Sequence, residues 1–412
     1  MARFSARRAK RYVGMSRIAV DVAIIGAGPV GAALACRLAD AGRSVLLVDR
    51  AALPPMEHPD FDGRAYAIAY GSRALLVAAG LWHRLAFDPC PIEQIRVSDG
   101  RPGQPASPLH LHFDHRTVGD DPFGWIIEAR ALRVAINAQL KAQSRIILRA
   151  PAEAVVSRDA TGALVRIAGD TDYQARLVIA ADGRNSALRA QAGIAVTRFA
   201  YRQSAVVCAL AHERPHENVA LEHFLPGGPF AQLPMTGIEG APFLSAIVFT
   251  EAHAIADRLA VMDDQRFTAE VARRLGPHLG AVRLVGKRWS YRLGALHAHH
   301  YTAPRLALVG DAAHGIHPIA GQGLNLGLRD AMALAALIET SDDPGAPDLL
   351  ARYQRARRPD NLLMLAATDG LDRLFSNDFP PLRLARDLGL AAVQRMPRLK
   401  RAFIRAAMGS AR

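Results

Sequence analysis

Only three cysteines, Cys36, Cys90 and Cys208, occur in 412 residues, and they lie too far apart for a Cys-x-x-Cys pair or a zinc-ligand set. Their odd number argues against a disulfide framework, so reduced thiols in the cytoplasm are expected. Long apolar runs are missing too: Arg, Asp or His interrupts every stretch before the roughly 18 residues that cross a bilayer. That argues against an integral membrane protein. Acids are scarce relative to bases, 38 Asp and Glu against 51 Lys and Arg, for a formal charge of +13. Such an excess fits nucleic acid, an anionic membrane surface or a merely arginine-rich composition. Much of it sits at the two chain ends rather than in a groove-forming run, so no nucleic-acid partner is expected. The segment Met1 to Arg17 carries Arg3, Arg7, Arg8, Lys10, Arg11 and Arg17 with no acid. It reads as a basic tail at 1–17, with Met1 and Met15 both open as the start and a targeting peptide as the alternative. The histidine clusters 110, 112, 115 and 297, 299, 300 match no ligand spacing. No metal is expected, and these histidines are assigned to the surface.

What is present begins with length, which exceeds the usual single-core limit and predicts two intertwined domains able to enclose a large cofactor. From Asp21 to Ile25 a short apolar run leads into Gly26-Ala27-Gly28-Pro29-Val30-Gly31 and an alanine-rich helix to about Ala41. Gly42 ends that helix, and Val45 to Val48 reads as a second buried strand finishing at Asp49. Proline-rich stretches at 53–59 and 101–108 read as loops. Glu128 to Lys141 reads as a helix, and Ala154 to Ala168 and Leu177 to Ala181 as strands. Short β-rich runs between Ser204 and Thr250, broken as at Leu225-Pro226-Gly227-Gly228-Pro229, predict an antiparallel sheet and a second domain. Leu306 to Val309 reads as a strand, a helix follows from Gly323 to about Glu339, and the remainder is helical and arginine-rich.

Gly26, Gly28 and Gly31 have the spacing of a dinucleotide turn, in which glycine lets the backbone approach a pyrophosphate received by N–H groups at a helix start. The preceding strand, the following helix and Asp49, about twenty residues on, agree with that assignment. Asp49 is placed to accept hydrogen bonds from a ribose with a free 2′-hydroxyl, and Arg50 beside it joins the cofactor-binding candidates. This suits the ADP half of FAD or of NAD, and the motif alone does not choose.

Three later motifs carry a resemblance. Leu306-Ala307-Leu308-Val309-Gly310-Asp311 resembles the second FAD fingerprint of the flavoprotein hydroxylases, which implies that Gly310 and Asp311 hold the ribityl or ribose hydroxyls. Leu177 to Arg189, with Asp182-Gly183, resembles the Asp-Gly motif of hydroxylases of the p-hydroxybenzoate hydroxylase type, implicated there in FAD and NAD(P)H binding. The run His317-Pro318-Ile319-Ala320-Gly321-Gln322-Gly323-Leu324-Asn325-Leu326-Gly327-Leu328-Arg329-Asp330 resembles the signature of the ubiquinone-biosynthesis hydroxylases. Asp62-Gly63-Arg64-Ala65 resembles that family's arginine loop beside the flavin, Arg130 opens a helix whose counterpart contacts the cofactor, and Asp369 to Asp378 resembles its tail motif. Tyr70, where serine is usual, and Gln354, where Tyr-Glu is usual, depart from the pattern.

The resemblance implies an α/β fold: a Rossmann-like, GR2-type FAD-binding domain interleaved with an α+β substrate domain built on an antiparallel sheet, plus C-terminal helices. The expected divisions are 18–82, 125–200 and 295–345 for FAD, 83–124 and 201–294 for substrate, and 346–412 for the C-terminal helical region. Gly321, Gln322, Gly323, Leu324 and Asn325 would contact the flavin ring at a helix start, whose positive end favours a reduced, anionic flavin.

The implied activity is FAD-dependent hydroxylation of the aromatic ring of a polyprenyl-phenol in ubiquinone biosynthesis, using O2 and NADH or NADPH through a flavin C4a-hydroperoxide. Only one complete Rossmann fingerprint is present, so FAD is the resident cofactor and NAD(P)H a visitor. Because the cofactor carries the difficult chemistry, no side-chain nucleophile is required. His314, His317 and Pro318 are the catalytic candidates, the histidines as proton relays or, alternatively, as groups fixing loop backbone. A lipid-borne substrate implies contact with the inner face of the cytoplasmic membrane and with other ubiquinone-biosynthesis proteins. From Pro381 to Arg412, Leu384, Leu388, Leu399, Phe403 and Ile404 alternate with arginines, a pattern that lies on anionic lipid or packs on the enzyme body. Two alternatives stay open: a hydroxylase of a small soluble phenol and a non-catalytic flavoprotein scaffold of a membrane biosynthetic complex. A flavin halogenase is disfavoured because its Trp-x-Trp-x-Ile-Pro element is absent.

Overall fold

The computed structural model describes residues 17–53, 62–104, 107, 110–376, 386, 389 and 392–409. The basic tail before Arg17, the 54–59 part of the first proline-rich loop, Asn377 and Asp378 of the tail motif, and Arg383, Leu384 and Leu388 of the C-terminal pattern lie outside these residues.

The Ile18–Ile25 strand is apolar at alternate and then successive positions because it runs through the middle of a sheet covered on both faces. It pairs in parallel with Val45–Val48 on one side and Tyr173–Ala180 on the other, and Ile146–Arg149 and Leu306–Leu308 extend the sheet outward. The Pro29–Asp40 helix, nearly all alanine and leucine inward, crosses over this sheet with Pro29 at its first turn, where the missing N–H costs nothing. Parallel strands joined by such a crossover leave their C-terminal ends, and the turns that follow, on one edge.

Ala154 to Ala168, expected as one strand, is a hairpin of Ala154–Arg158 and Ala163–Ile167. Asp159 makes the turn: its Oδ1 accepts from the N–H groups of Thr161 and Gly162 and from the Thr161 hydroxyl. A second eight-stranded sheet carries the Val196–His212, Val219–Leu225, Gly228–Met235, Leu244–Ala252 and Val282–Ala298 strands. It is antiparallel as expected except where Val219–Leu225 runs parallel to Gln94–Asp99. The two edges of that pair arrive from distant parts of the chain, so no hairpin dictates their direction. The chain passes between the two sheets several times, which produces the interleaved α/β arrangement. Helices His253–Val261 and Asp264–Leu275 cover the outer face of the second sheet through Phe267, Val271, Leu259 and Leu275.

One helix clamps the sheets together. The Gln322–Glu339 helix packs so closely on the first helix that a Cβ on Gly327 would lie 2.7 Å from the Val30 side chain. Its Asp330 is fully buried, with Oδ2 2.5 Å from His314 Nε2 and accepting from Gly310 N, while Oδ1 accepts from Arg357 Nε and Asn361 Nδ2. Burial alone would raise the Asp330 carboxyl, but His314, Arg357 and Asn361 outweigh it and hold it below its ordinary value of 3.8. A depressed carboxyl stabilises the fold above its unfolded pKa and loses that contribution as the pH falls into the acid range.

Asp330→Ala strands a buried arginine, histidine and asparagine together, and is expected to lower the unfolding free energy by about 3–5 kcal/mol. Urea unfolding at neutral pH measures it. The gap from the parent protein should narrow on acidification, and a variant as stable as the parent at neutral pH would show that the cluster does not hold the fold.

Candidate functional site

Two spaces flank the Gln322–Glu339 helix. The first is a groove along the C-terminal edge of the parallel sheet. Gly26 turns there with φ +111°, and any Cβ on it would strike the Ala181 carbonyl at 2.2 Å, so only glycine allows the turn. Gly28 caps the first helix with no side-chain hydrogen bond and faces open space, leaving helix-start N–H groups turned toward the groove. Asp49 Oδ2 accepts from Ala27 N at 2.7 Å, which orients the carboxylate beside the turn, and Arg50 follows it, exposed. Farther along, Asp182 Oδ2 accepts from Ala187 N, and Gly183 borders open space. Asp311, about half exposed, pairs with Arg184 at 3.2 Å, and Gly310 is anchored from below by Asp330. The donors, the open glycine turn and the two carboxylates at separated points of one groove fit an extended dinucleotide such as FAD.

Arg133 is a member that sequence reasoning missed. Its Nη1 donates to the Ala27 carbonyl at 2.8 Å, at the glycine turn itself. Burial pulls its guanidinium down, against the attraction of Tyr66 and Asp49. The signal was its place three residues, about one helical turn, after Arg130. Arg130 itself is tied to Glu128 at 3.1 Å, and Arg64 is held by Asp62 and lies 4.7 Å over the Trp289 ring.

The second space is a cavity of about 450 Å³ between the second sheet and the loop 318–322. Pro318, Ile319, Gly321, Gln322 and Asn325 form one wall. Val97, Ala231, Val248 and Phe224 line the opposite sheet. Asn325 fixes the shared wall: it accepts from Ala69 N at 2.8 Å and donates to the Ala67 and Gly321 carbonyls. Gly321 is left-handed, φ +60°, and Gly323 faces open space. Leu324 packs against the core of the first sheet, and its side chain is not part of the cavity lining.

The histidine candidates part company. His314 is buried within the Asp330 cluster, behind the groove, and lines no part of the cavity. His317 is also buried, edge-on to Tyr201 at 5.0 Å between ring centres, with Nε2 3.6 Å from Asp372 and unsatisfied. Burial pulls its pKa down, opposed by Asp372 and Asp369. Asp369 also accepts from the Tyr201 hydroxyl at 3.0 Å, so the aspartates of the tail motif sit behind the loop wall. Of the clustered histidines assigned to the surface, His115 and His297 are buried, because each lies where its chain segment meets the sheet rather than on a free loop. Glu222, which sequence reasoning passed over, lies on the cavity face of Val219–Leu225. Its signal was an acid in register with Ala220 and Phe224 in an otherwise apolar strand face.

Residues 19–367 match the family model described as FAD binding domain. The chain is 47% identical to the ubiquinone hydroxylase UbiL of Rhodospirillum rubrum over 95% of its length and 90% of that protein. It is 33% identical to the 3-demethoxyubiquinol 3-hydroxylase of Escherichia coli, covering 96% and 100% of the two chains. It is 31% identical to the human mitochondrial ubiquinone biosynthesis monooxygenase COQ6, covering 95% and 93%. Among solved structures, p-nitrophenol 4-monooxygenase PnpA of Pseudomonas putida superposes with a TM-score of 0.75 at 19% identity, over 96% and 100% of the chains, a likeness of fold.

Asp311→Ala is expected to purify folded, because the side chain is half exposed, but with FAD content reduced about tenfold or more, as a lost pair of charge-assisted hydrogen bonds implies. Absorbance of the bound flavin against protein measures it. Full flavin occupancy in the variant would remove Asp311 from the site.

Proposed function

The chain belongs to the FAD-binding family that includes the hydroxylases of ubiquinone biosynthesis, and on that premise we propose that it hydroxylates the aromatic ring of a polyprenylated phenol, with O2 and NADH or NADPH as co-substrates. The observation that carries the reading is the apolar cavity walled by Gly321, Gln322 and Asn325, at the start of the same helix that packs through Gly327 on Val30 and Gly310 beside the glycine turn. When bound, FAD supplies the two-electron chemistry and the activated oxygen that no side chain here can provide.

The protein's own part is positional. Gly26, Gly28, Gly31 and Arg133 at one end, and Gly310 and Asp311 at the other, would hold the dinucleotide, with Asp49, Arg50, Asp182 and Gly183 between them. Arg64, Arg130 and the main chain of residues 321–325 would place the ring-bearing end at the cavity wall. Pro318 and Ile319 close the wall around it, and the apolar lining excludes water from the reacting centre. His317 and the two aspartates behind it set the loop that carries Pro318.

A cavity of about 450 Å³ accepts a ring and the first prenyl units but not a long tail. Leu371 and Phe403 line it and are 41% and 48% exposed, so the cavity reaches the surface there, beside the Pro397–Met408 helix. That helix turns Ile404 and Met408 inward and Arg398, Arg401 and Phe403 outward. The tail leaves by this mouth, and the basic helix with its exposed phenylalanine rests on anionic lipid. No helix among the described residues is long and apolar enough to cross a membrane.

Two outcomes follow. Ala407 of the Pro397–Met408 helix also lines the cavity, and with purified holoenzyme Ala407→Trp should keep its FAD and its turnover of 2-geranylphenol while losing about tenfold in kcat/KM on a long-chain polyprenylphenol. Product chromatography measures it, and equal losses on both substrates, or none, would move the tail elsewhere. Arg398→Glu combined with Arg401→Glu should weaken cosedimentation with phosphatidylglycerol vesicles by about thirtyfold or more, at about 1 kcal/mol per basic residue. Unchanged cosedimentation counts against lipid contact.

A further inference from the structure

Glu222 stands on the Val219–Leu225 strand between Val97 and Ala231 on the neighbouring strands. Ala220 and Phe224, which share its face, belong to the apolar clusters under the cavity, whereas Leu225 on the other face packs against the outer helices. The carboxyl therefore points into the cavity. Among the described residues it is the one ionisable side chain of the lining. It has neither a hydrogen-bond partner nor a counter-ion among them. Thr250, two strands away in the same lining, has its hydroxyl buried without a partner.

An acid isolated among valine, alanine, leucine and phenylalanine is costly unless something that enters the cavity donates to it. Burial pushes its carboxyl up to about 7, and no charged neighbour contributes. Such a group is neutral below that pH and a carboxylate above it, and at physiological pH it both accepts a hydrogen bond and releases a proton readily. Of the chemistry expected in this cavity, the hydroxyl of a phenol is the donor that matches.

We propose that Glu222 receives the ring hydroxyl of the substrate and acts as its proton acceptor. The carboxylate takes the hydrogen bond, then the proton: the phenolic O–H bond breaks, an O–H bond forms on Glu222, and the electron pair stays on the phenolic oxygen. The ring becomes more electron-rich at the carbons that accept oxygen, nothing is oxidised or reduced in this step, and the proton returns to the same oxygen before product leaves. Glu222 thereby sets the orientation of the ring as well, because the hydroxyl is pinned to the sheet while the carbon to be oxygenated faces the 318–322 wall. The inference rests on the hydroxylase reading above.

The test uses holoenzyme and two probes, 2-geranylphenol and its methyl ether, the latter lacking the donor. Affinity is measured by calorimetry below and above pH 7, and kcat/KM for hydroxylation over the same range. In the parent protein the phenol should bind at least about tenfold more tightly than the ether above pH 7. Glu222→Gln should reduce that preference about tenfold, lower kcat/KM about a hundredfold and abolish the rise in rate through pH 7. Glu222→Asp, which keeps the charge, should restore the pH-dependent rise in part, and FAD content equal to the parent's certifies the fold of both. A Gln variant that keeps both the preference and the pH profile overturns the proposal. If the parent binds the phenol but never hydroxylates it, the hydroxylase reading falls, and the binding preference alone decides whether Glu222 recognises a ring hydroxyl.

Discussion

The start of the Gln322–Glu339 helix has to be in two places at once: against the dinucleotide groove and against the cavity. Asp330 makes that possible from inside the helix by holding His314, Gly310, Arg357 and Asn361 around one buried carboxylate. Asn325, one turn and a residue earlier, ties the same helix to Ala67 and Ala69 of the strand that borders the cavity. In the proposed arrangement a single rigid element sets the distance between cofactor and substrate, which is the quantity that a hydroxylase of this kind must control. The close contact of Gly327 with Val30 leaves no slack between this helix and the helix that follows the glycine turn.

Polar groups are distributed between the two spaces in opposite ways. The groove is rich in main-chain donors and carboxylates whose partners are already set, as with Asp49 on Ala27 and Asp182 on Ala187. The cavity is apolar, and its isolated acid is held at the edge of ionisation by burial. A preorganised groove suits a resident group that never leaves, while a lone titratable acid suits a ligand that comes and goes with its own proton. The exposed Leu371 and Phe403 at the cavity mouth, close to a basic helix, extend the same logic to a substrate that is part ring and part lipid.

Much of this was legible in the residues. The first glycine turn, Asp49, Gly310-Asp311 and the 317–330 run carry strong local constraints, because close backbone approach and special φ values leave few residue types acceptable. The hairpin at 154–167 was missed because the Asp159 turn interrupts a continuous β-rich pattern without a proline or a Gly-Gly pair. The parallel pairing of 219–225 with 94–99 lies beyond any local signal, since it joins strands from opposite parts of the chain. Arg133 and Glu222 were overlooked for a shared reason. Each is an ordinary charged residue in an ordinary element, and only the fold shows that one meets the glycine turn and the other an apolar cavity. His314 is the converse case: adjacent in sequence to the 317–323 run, it faces the buried aspartate.

The account depends on the flavin and the phenol sharing one wall, and a titration of holoenzyme with 2-geranylphenol addresses that most directly. Binding followed by calorimetry and by the visible spectrum of the bound flavin should give the same dissociation constant, with a saturable shift in the flavin band. Calorimetric binding that leaves the flavin spectrum unmoved would place the phenol elsewhere on the protein and contradict the arrangement described.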